Sequence, residues 1–178
     1  MTQAWLPWLL LLQGVLAGVD TLLNHELIAR LAQRQEARTE LGIHVLREVI
    51  WAILLFGLGW FAWHGAAAAV IATLLAAEVL ITAWDELVEN RSRVLPQNER
   101  VLHVFLVLNL GAIITVLYPL LLDWGSRPTA LAPAAHGALS WIISVFALCA
   151  AAWAIRDWRA WRRLRRASVQ TNFTGMRT

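Results

Sequence analysis

Long apolar runs separated by short polar stretches dominate the pattern of the chain. Five of the runs have about 20 residues, the length at which an α-helix crosses the apolar interior of a bilayer. The pattern predicts an all-α, polytopic membrane protein with five transmembrane helices, at about residues 5–23, 41–63, 66–84, 100–122 and 135–155. We expect one transmembrane domain over residues 1–155 and a basic cytoplasmic tail over residues 156–178.

The composition supports this class of protein. Apolar residues make up 59% of the 178 and charged residues only 15%, which is too apolar for an ordinary soluble domain. All 15 Lys or Arg residues are Arg, so covalent catalysis through a lysine amine is excluded. Cys149 is the single cysteine, so an intramolecular disulfide is excluded as well.

Arginine is distributed unevenly between the two sides of the predicted spans. Fourteen arginines fall on the side that holds the C-terminus, and only Arg127 falls on the other. Because cytoplasmic loops carry the excess of Lys and Arg, we expect the N-terminus outside and the C-terminus inside a bacterial-type cytoplasmic membrane. The Arg-rich tail is expected to contact anionic lipid headgroups, and no nucleic-acid partner is expected.

A carboxylate followed four residues later by a histidine occurs twice, as Glu40 with His44 and as Glu99 with His103. Each pair stands at the start of an apolar run, and residues four apart share one face of a helix. The stretch HELIAR precedes the first pair by about the distance at which DELVENR precedes the second. The first four helices are therefore expected to form an antiparallel bundle of two related hairpins.

Four ligand-type residues fall at one depth in the predicted bundle. His25, His44, Asp85 and His103 each lie about 20 residues from the outer end of their helix, so four helices bring them to nearly the same level. On the first helix Asp20 and His25 cannot share a face, because they lie about 140° apart around the axis. We favour His25 as the donor, because it matches Asp85 in the repeat.

Carboxylate oxygens and imidazole nitrogens suit iron, manganese or zinc, and four carboxylates with two histidines are the ligand count of a di-iron centre in a four-helix bundle. We expect two iron ions, with zinc or manganese as alternatives. The deeper Glu48 and Glu78, which are costly in a bilayer unless paired or functional, are assigned to proton transfer. The expected metal ligands are His25, Glu26, Glu40, His44, Asp85, Glu89, Glu99 and His103.

This arrangement resembles the ferritin-like di-iron carboxylate proteins, whose membrane-attached relatives are the alternative oxidases. In that family two helix hairpins each supply one acidic residue and then a Glu-x-x-His pair. The matching positions here are Glu40 with His44 and Glu99 with His103, completed by His25 or Glu26 and by Asp85 or Glu89, although the spacing in this chain is Glu-x-x-x-His. The resemblance implies oxygen or quinol chemistry.

We therefore expect metal-dependent oxidation or hydroxylation of a lipid-soluble substrate, such as a quinone or an acyl chain. Electrons would come from a separate reductase, a partner membrane subunit or the quinol pool.

The same residues are also compatible with other functions. Three histidines and one Asp also fit a zinc hydrolase of a lipid amide or ester and resemble the ceramidase and adiponectin-receptor proteins, whose final His-x-x-x-His pair is absent here. A haem between His44 and His103, or a non-enzymatic transport or assembly subunit, would use the same residues. Glu40 and Glu99 would also stabilise the starts of their helices without any ligand.

Overall fold

The computed structural model describes the backbone of residues 4–175 and the side chains of residues 4–167. The described chain consists of helices, one short strand pair and the loops that connect them. Residues 176–178, which include Arg177 of the predicted tail, lie outside the described residues. The helices are α1 (Leu6–Asp20), which continues as a π-helical segment (Thr21–Ala29) and a 3₁₀ turn (Leu31–Gln33), then α2 (Arg38–Trp60), α3 (Ala66–Ser92), α4 (Gln97–Gly125) and α5 (Ala138–Gly175).

Five helical segments of the described chain are long and apolar enough to cross a membrane, in agreement with the five predicted spans. One of the differences is the end of α3, which was predicted to stop at Trp84 but continues to Ser92. The helix continues because Asp85 and Glu89 are buried against other helices and do not begin a solvated loop. Hydropathy locates the end of an apolar run, but a helix continues for as long as its backbone hydrogen bonds and its buried face continue.

The core draws on all five helices. Leu10 of α1, Leu54 of α2, Ile71 of α3, Ile113 of α4 and Ile143 of α5 are all fully buried in a single apolar cluster. α1 packs against α4, α2 against α3 and α3 against α4, while α5 packs along α2 and α1. The predicted bundle of two hairpins left out this fifth helix, which shares the same core.

A two-stranded antiparallel pairing joins the loops at one end of the helices. Strand β1 (Phe61–His64) precedes α3, and strand β2 (Ala130–Pro133) precedes α5, with Phe61 opposite Pro133. The chain leaves β1 through Gly65, whose φ of +60° lies in the region that favours glycine. A Cβ atom at this glycine would come within 2.6 Å of the Thr129 backbone, so both conformation and space require glycine.

At the other end, α5 runs without a break past residue 155, after which the tail was predicted to start. Its Ala160 and Leu164 are buried with Leu31, Ala32 and Leu41 in a second apolar cluster. Guanidinium groups also stack on tryptophans of this helix, with Arg162 Cζ 4.8 Å from the centre of the Trp158 ring. The beginning of the predicted tail is therefore a packed extension of the helix.

Candidate metal centre

Buried and half-buried polar side chains from the first four helices and the loop between α3 and α4 meet at the end of the helices opposite the strands. We call this group the polar cluster. It contains Asp20, His25, Glu40, His44, Arg47, Glu78, Asp85, Glu89, Arg93, Glu99 and His103, and each of its six carboxylates is less than one-tenth exposed.

Four residues of the polar cluster offer ligand atoms that all lie within 4.8 Å of one another: Asp20, His25, Glu99 and His103. The Nε2 atom of His25 is 3.4 Å from Asp20 Oδ2 and 3.6 Å from Glu99 Oε1. Asp20 Oδ2 is also 3.4 Å from His103 Nε2. Two carboxylates and two imidazoles thus surround one small volume, and three of the four were predicted ligands.

The π-helical segment explains why Asp20 belongs to this group. A π-helix closes its hydrogen bonds over five residues, so Asp20 and His25, five apart, come onto the same face. The sequence prediction that they could not share a face assumed a regular α-helix and was wrong. The available signal was Asp20 itself, an acidic residue inside an apolar run, where an unpaired charge is costly.

A second group, His25, His44 and Glu89, adjoins the first. The rings of the two histidines have centroids 4.2 Å apart. Glu89 lies between two histidines, because its Oε1 atom is 3.6 Å from His44 Nε2 and its Oε2 atom is 3.5 Å from His103 Nδ1. A third group adds the exposed Glu86 to Glu89 and His103.

Several ligand-type atoms at the centre of the polar cluster have no hydrogen-bond partner among the described residues. They are His25 Nε2, His44 Nε2, Asp85 Oδ1 and Glu89 Oε2. Leaving a buried polar atom unpaired costs free energy, so native proteins pair nearly all of them. The separations of 3.4–3.6 Å to neighbouring oxygens exceed good hydrogen-bond lengths, and an ion between the atoms would satisfy both partners at once.

Arg93, in the loop between α3 and α4, neutralises some of the charge of the cluster. Its guanidinium donates to Glu40 Oε1 at 2.9 Å and to both oxygens of Glu99, at 2.5 and 2.7 Å. Burial opposes the charge of Arg93, but these hydrogen bonds and the nearby carboxylates outweigh it and raise its pKa above the ordinary value. Glu40 also accepts a hydrogen bond from Ser92 Oγ, so its oxygens are already partnered.

Arg47 has the same role at a deeper level of the bundle. It donates to Glu78 Oε1 at 3.1 Å and to Asp85 Oδ2 at 2.7 Å, and Trp51 Nε1 donates to the same Glu78 oxygen at 2.8 Å. Asp85 Oδ2 remains 3.4 Å from His44 Nε2. Asp85 is therefore shared between a guanidinium group and the second group of ligands.

The charges within the described cluster do not balance. Two guanidinium groups face six buried carboxylates, which leaves four negative charges if all six carboxylates are ionised and the three histidines are neutral. Three protonated histidines would offset three of these charges, whereas two divalent ions would offset all four. Such an excess of buried negative charge is costly unless cations enter the site.

Three predicted ligands lie outside the three groups. Glu26 forms an ion pair with Arg156 of α5, Glu40 is held by Arg93, and Asp85 is held by Arg47. Of the two predicted proton-transfer residues, Glu78 lies in the Arg47 network, and Glu48 Oε2 is buried with no hydrogen-bond partner in the described chain. Sequence alone could not reveal which acids are bound by an arginine, because the partners are far apart along the chain or lie in a loop.

Comparison with protein-family models, curated proteins and solved structures finds no match to this chain.

Proposed function

We propose that the chain is an integral membrane metalloenzyme that uses a carboxylate and histidine centre to oxidise or hydroxylate a lipid-soluble substrate. It would reside in a bacterial-type cytoplasmic membrane, with its N-terminus outside and the polar cluster near the cytoplasmic face. The arginine distribution supports this orientation, and the five apolar helices are compatible with a multi-pass protein.

The observation that carries the proposal is the convergence of Asp20, His25, Glu99 and His103, whose ligand atoms come from two helical segments far apart along the chain. These four residues would hold the first ion. His44 and Glu89 would hold a second ion beside it, with Asp85 as a further oxygen donor. The excess of four buried negative charges supports a pair of divalent ions.

Iron is the ion we propose, because mixed carboxylate and imidazole ligands without thiolates are typical of non-haem iron sites. When bound, iron supplies the electron-transfer chemistry that none of the side chains can supply. The side chains hold the ions, exclude water and partner the surrounding carboxylates. A separate reductase, a partner membrane subunit or the quinol pool would supply electrons.

A second candidate is a zinc hydrolase acting on a lipid amide or ester, and one observation favours it. Zinc bonds of about 2.1 Å in tetrahedral geometry hold neighbouring ligand atoms about 3.4 Å apart. The separations of 3.4 Å between Asp20 Oδ2 and the Nε2 atoms of His25 and His103 match that spacing. The identity of the bound metal distinguishes the two candidates.

The test is elemental analysis of the detergent-purified protein beside a His25→Ala, His103→Ala double variant. A His64→Ala, His136→Ala double variant is the matched control, because it removes two imidazoles outside the polar cluster. We expect about two irons per wild-type and control chain and their loss from the cluster variant. One zinc per chain would support the hydrolase, and a folded wild type without stoichiometric metal would refute both candidates.

A further inference from the structure

An apolar cavity of about 250 Å³ lies between α1, α2, α4 and α5 and ends at the polar cluster. Most of its wall is apolar, with Trp51 of α2, Leu106 of α4 and Phe146 of α5 among the lining side chains. At the polar end it reaches His44, which the proposed centre uses as a ligand, together with Glu48. The cavity therefore joins an apolar space to the candidate metal centre.

Small residues on α1 make room for this cavity. A Cβ atom at Gly14 would come within 2.8 Å of the Phe146 ring, so this glycine lets α1 and α5 approach closely. One turn further along, a Cβ atom at Gly18 would meet nothing within 4 Å, because Gly18 borders the cavity. The cavity therefore narrows where Gly14 meets Phe146 and is wider beside Gly18.

The cavity opens sideways, between α1 and α5. Two residues that line it, Leu22 and Cys149, are also exposed on the outer surface of the helices. The surrounding surface is apolar, with Val19 and Leu148 exposed beside them. In a bilayer this mouth would face lipid, so a molecule dissolved in the membrane could enter without crossing water.

One buried polar atom at the inner end defines the head of the ligand. Glu48 Oε2 is buried and unpartnered within the described chain, and His44, which is assigned to the second ion, lies at the same end of the cavity. Glu48 disfavours an anionic head, and Arg47, which also lines the cavity, disfavours a cationic one. A neutral hydroxyl group suits the site, because it can donate to the carboxylate and also accept a hydrogen bond.

We propose that this cavity is the substrate site, which takes from the membrane a lipid-soluble molecule with a neutral hydroxyl head. The head donates a hydrogen bond to Glu48 Oε2 and comes to lie beside His44, and the apolar body occupies the space bordered by Gly18 and Phe146. This inference names the substrate class of the proposed enzyme, and the role of the cavity as a substrate site rests on that proposed function. The binding itself requires no metal.

The test uses photoaffinity labelling with a diazirine-bearing octanol, compared with the matching diazirine-bearing octane, which lacks the hydroxyl. Labelled peptides are mapped by mass spectrometry in the purified full-length protein. We expect the alcohol to label the peptides that hold Trp51 and Phe146 and the alkane to label them about tenfold less, since the hydrogen bond to a carboxylate is absent.

Two variants test the assigned contacts. Gly18→Leu adds a side chain where the Cβ atom meets nothing within 4 Å, and it should abolish labelling by occupying the cavity. Gly111→Leu is the matched control, since its Cβ atom also meets nothing within 4 Å and it lies outside the cavity. Glu48→Gln should lower labelling by the alcohol about tenfold and leave labelling by the alkane unchanged. Equal labelling by both probes in the wild type, or full labelling of Gly18→Leu, would overturn the proposal.

The same labelling of the His25→Ala, His103→Ala variant separates this inference from the metal assignment. Labelling that persists there supports the cavity site whatever the elemental analysis finds. A wild type that contains stoichiometric metal but gives no labelling at Trp51 and Phe146 would overturn the cavity site and leave the metal centre standing.

Discussion

Asp20 Oδ2 and His25 Nε2 lie 3.4 Å apart although the two residues are five positions apart, a spacing that a regular α-helix would place on different faces. The π-helical segment from Thr21 to Ala29 brings them together. π-Helical turns are rare and occur frequently at functional sites. Here the irregular turn adds a carboxylate to a group in which α4 supplies Glu99 and His103.

Replacing Asp20 with Asn should weaken metal binding while preserving the fold. The amide has nearly the same shape as the carboxylate, but it lacks the negative charge. It also replaces a carboxylate whose Oδ2 atom lies 3.4 Å from the Nε2 atoms of both His25 and His103. We expect the metal dissociation constant to rise about a hundredfold, since even the loss of an outer hydrogen-bond partner costs about 10- to 100-fold. Competition with a chromogenic chelator measures it. Asp123→Asn, in an exposed ion pair with Arg127 at the far end of α4, should bind metal as the wild type does.

Gly65→Ala should destabilise the end of the protein that carries the strands. The alanine would have to adopt a positive φ, and its Cβ atom would clash with the Thr129 backbone. We expect a loss of about 1–3 kcal/mol, seen as a lower melting temperature in detergent. Metal content should not change, because α3 separates Gly65 from the polar cluster. Gly125→Ala, where a Cβ atom meets nothing within 4 Å, should melt within about a degree of the wild type.

The proposed orientation predicts which loops a membrane-impermeant maleimide can reach in intact cells. In a Cys149→Ser background, Ser126→Cys should react from outside, because the exposed Ser126 lies in the loop that holds the single outer arginine. Gln33→Cys, exposed in the loop between α1 and α2, should react only after the membrane is permeabilised. The reverse pattern would contradict the orientation and place the polar cluster at the outer face.

The helices and much of the candidate centre could be predicted because their signals are local and periodic. Hydropathy marked five segments, and counting residues inward from the outer helix ends brought His25, His44 and His103 to one level. Glu99 followed as the acid four residues before His103, and Glu89 as the acid four residues after Asp85 on the third helix. Depth in a bundle depends mainly on the helical rise, which varies little between helices.

Other features depend on interactions that a single sequence does not encode locally. β1 and β2 pair across more than sixty intervening residues, and neither strand is long enough to show an alternating pattern. Glu26 pairs with Arg156 from a helix much later in the chain. The position of Asp20 depends on a departure from α-helical geometry that begins at Thr21.

Arg93→Gln should destabilise the protein strongly in metal-free buffer, because it leaves buried carboxylates of Glu40, Glu89 and Glu99 without their guanidinium partner. Removing one partner of a buried ion pair costs about 3–5 kcal/mol. Adding Glu40→Gln to this variant removes one of the uncompensated charges and should restore some of the lost melting temperature. Glu36→Gln, in place of Glu40→Gln, is the control, since Glu36 is exposed and should restore nothing. Equal melting of all these variants would show that Arg93 does not neutralise the cluster. Because the metal would add positive charge, ferrous iron should raise the melting temperature of Arg93→Gln more than that of the wild type.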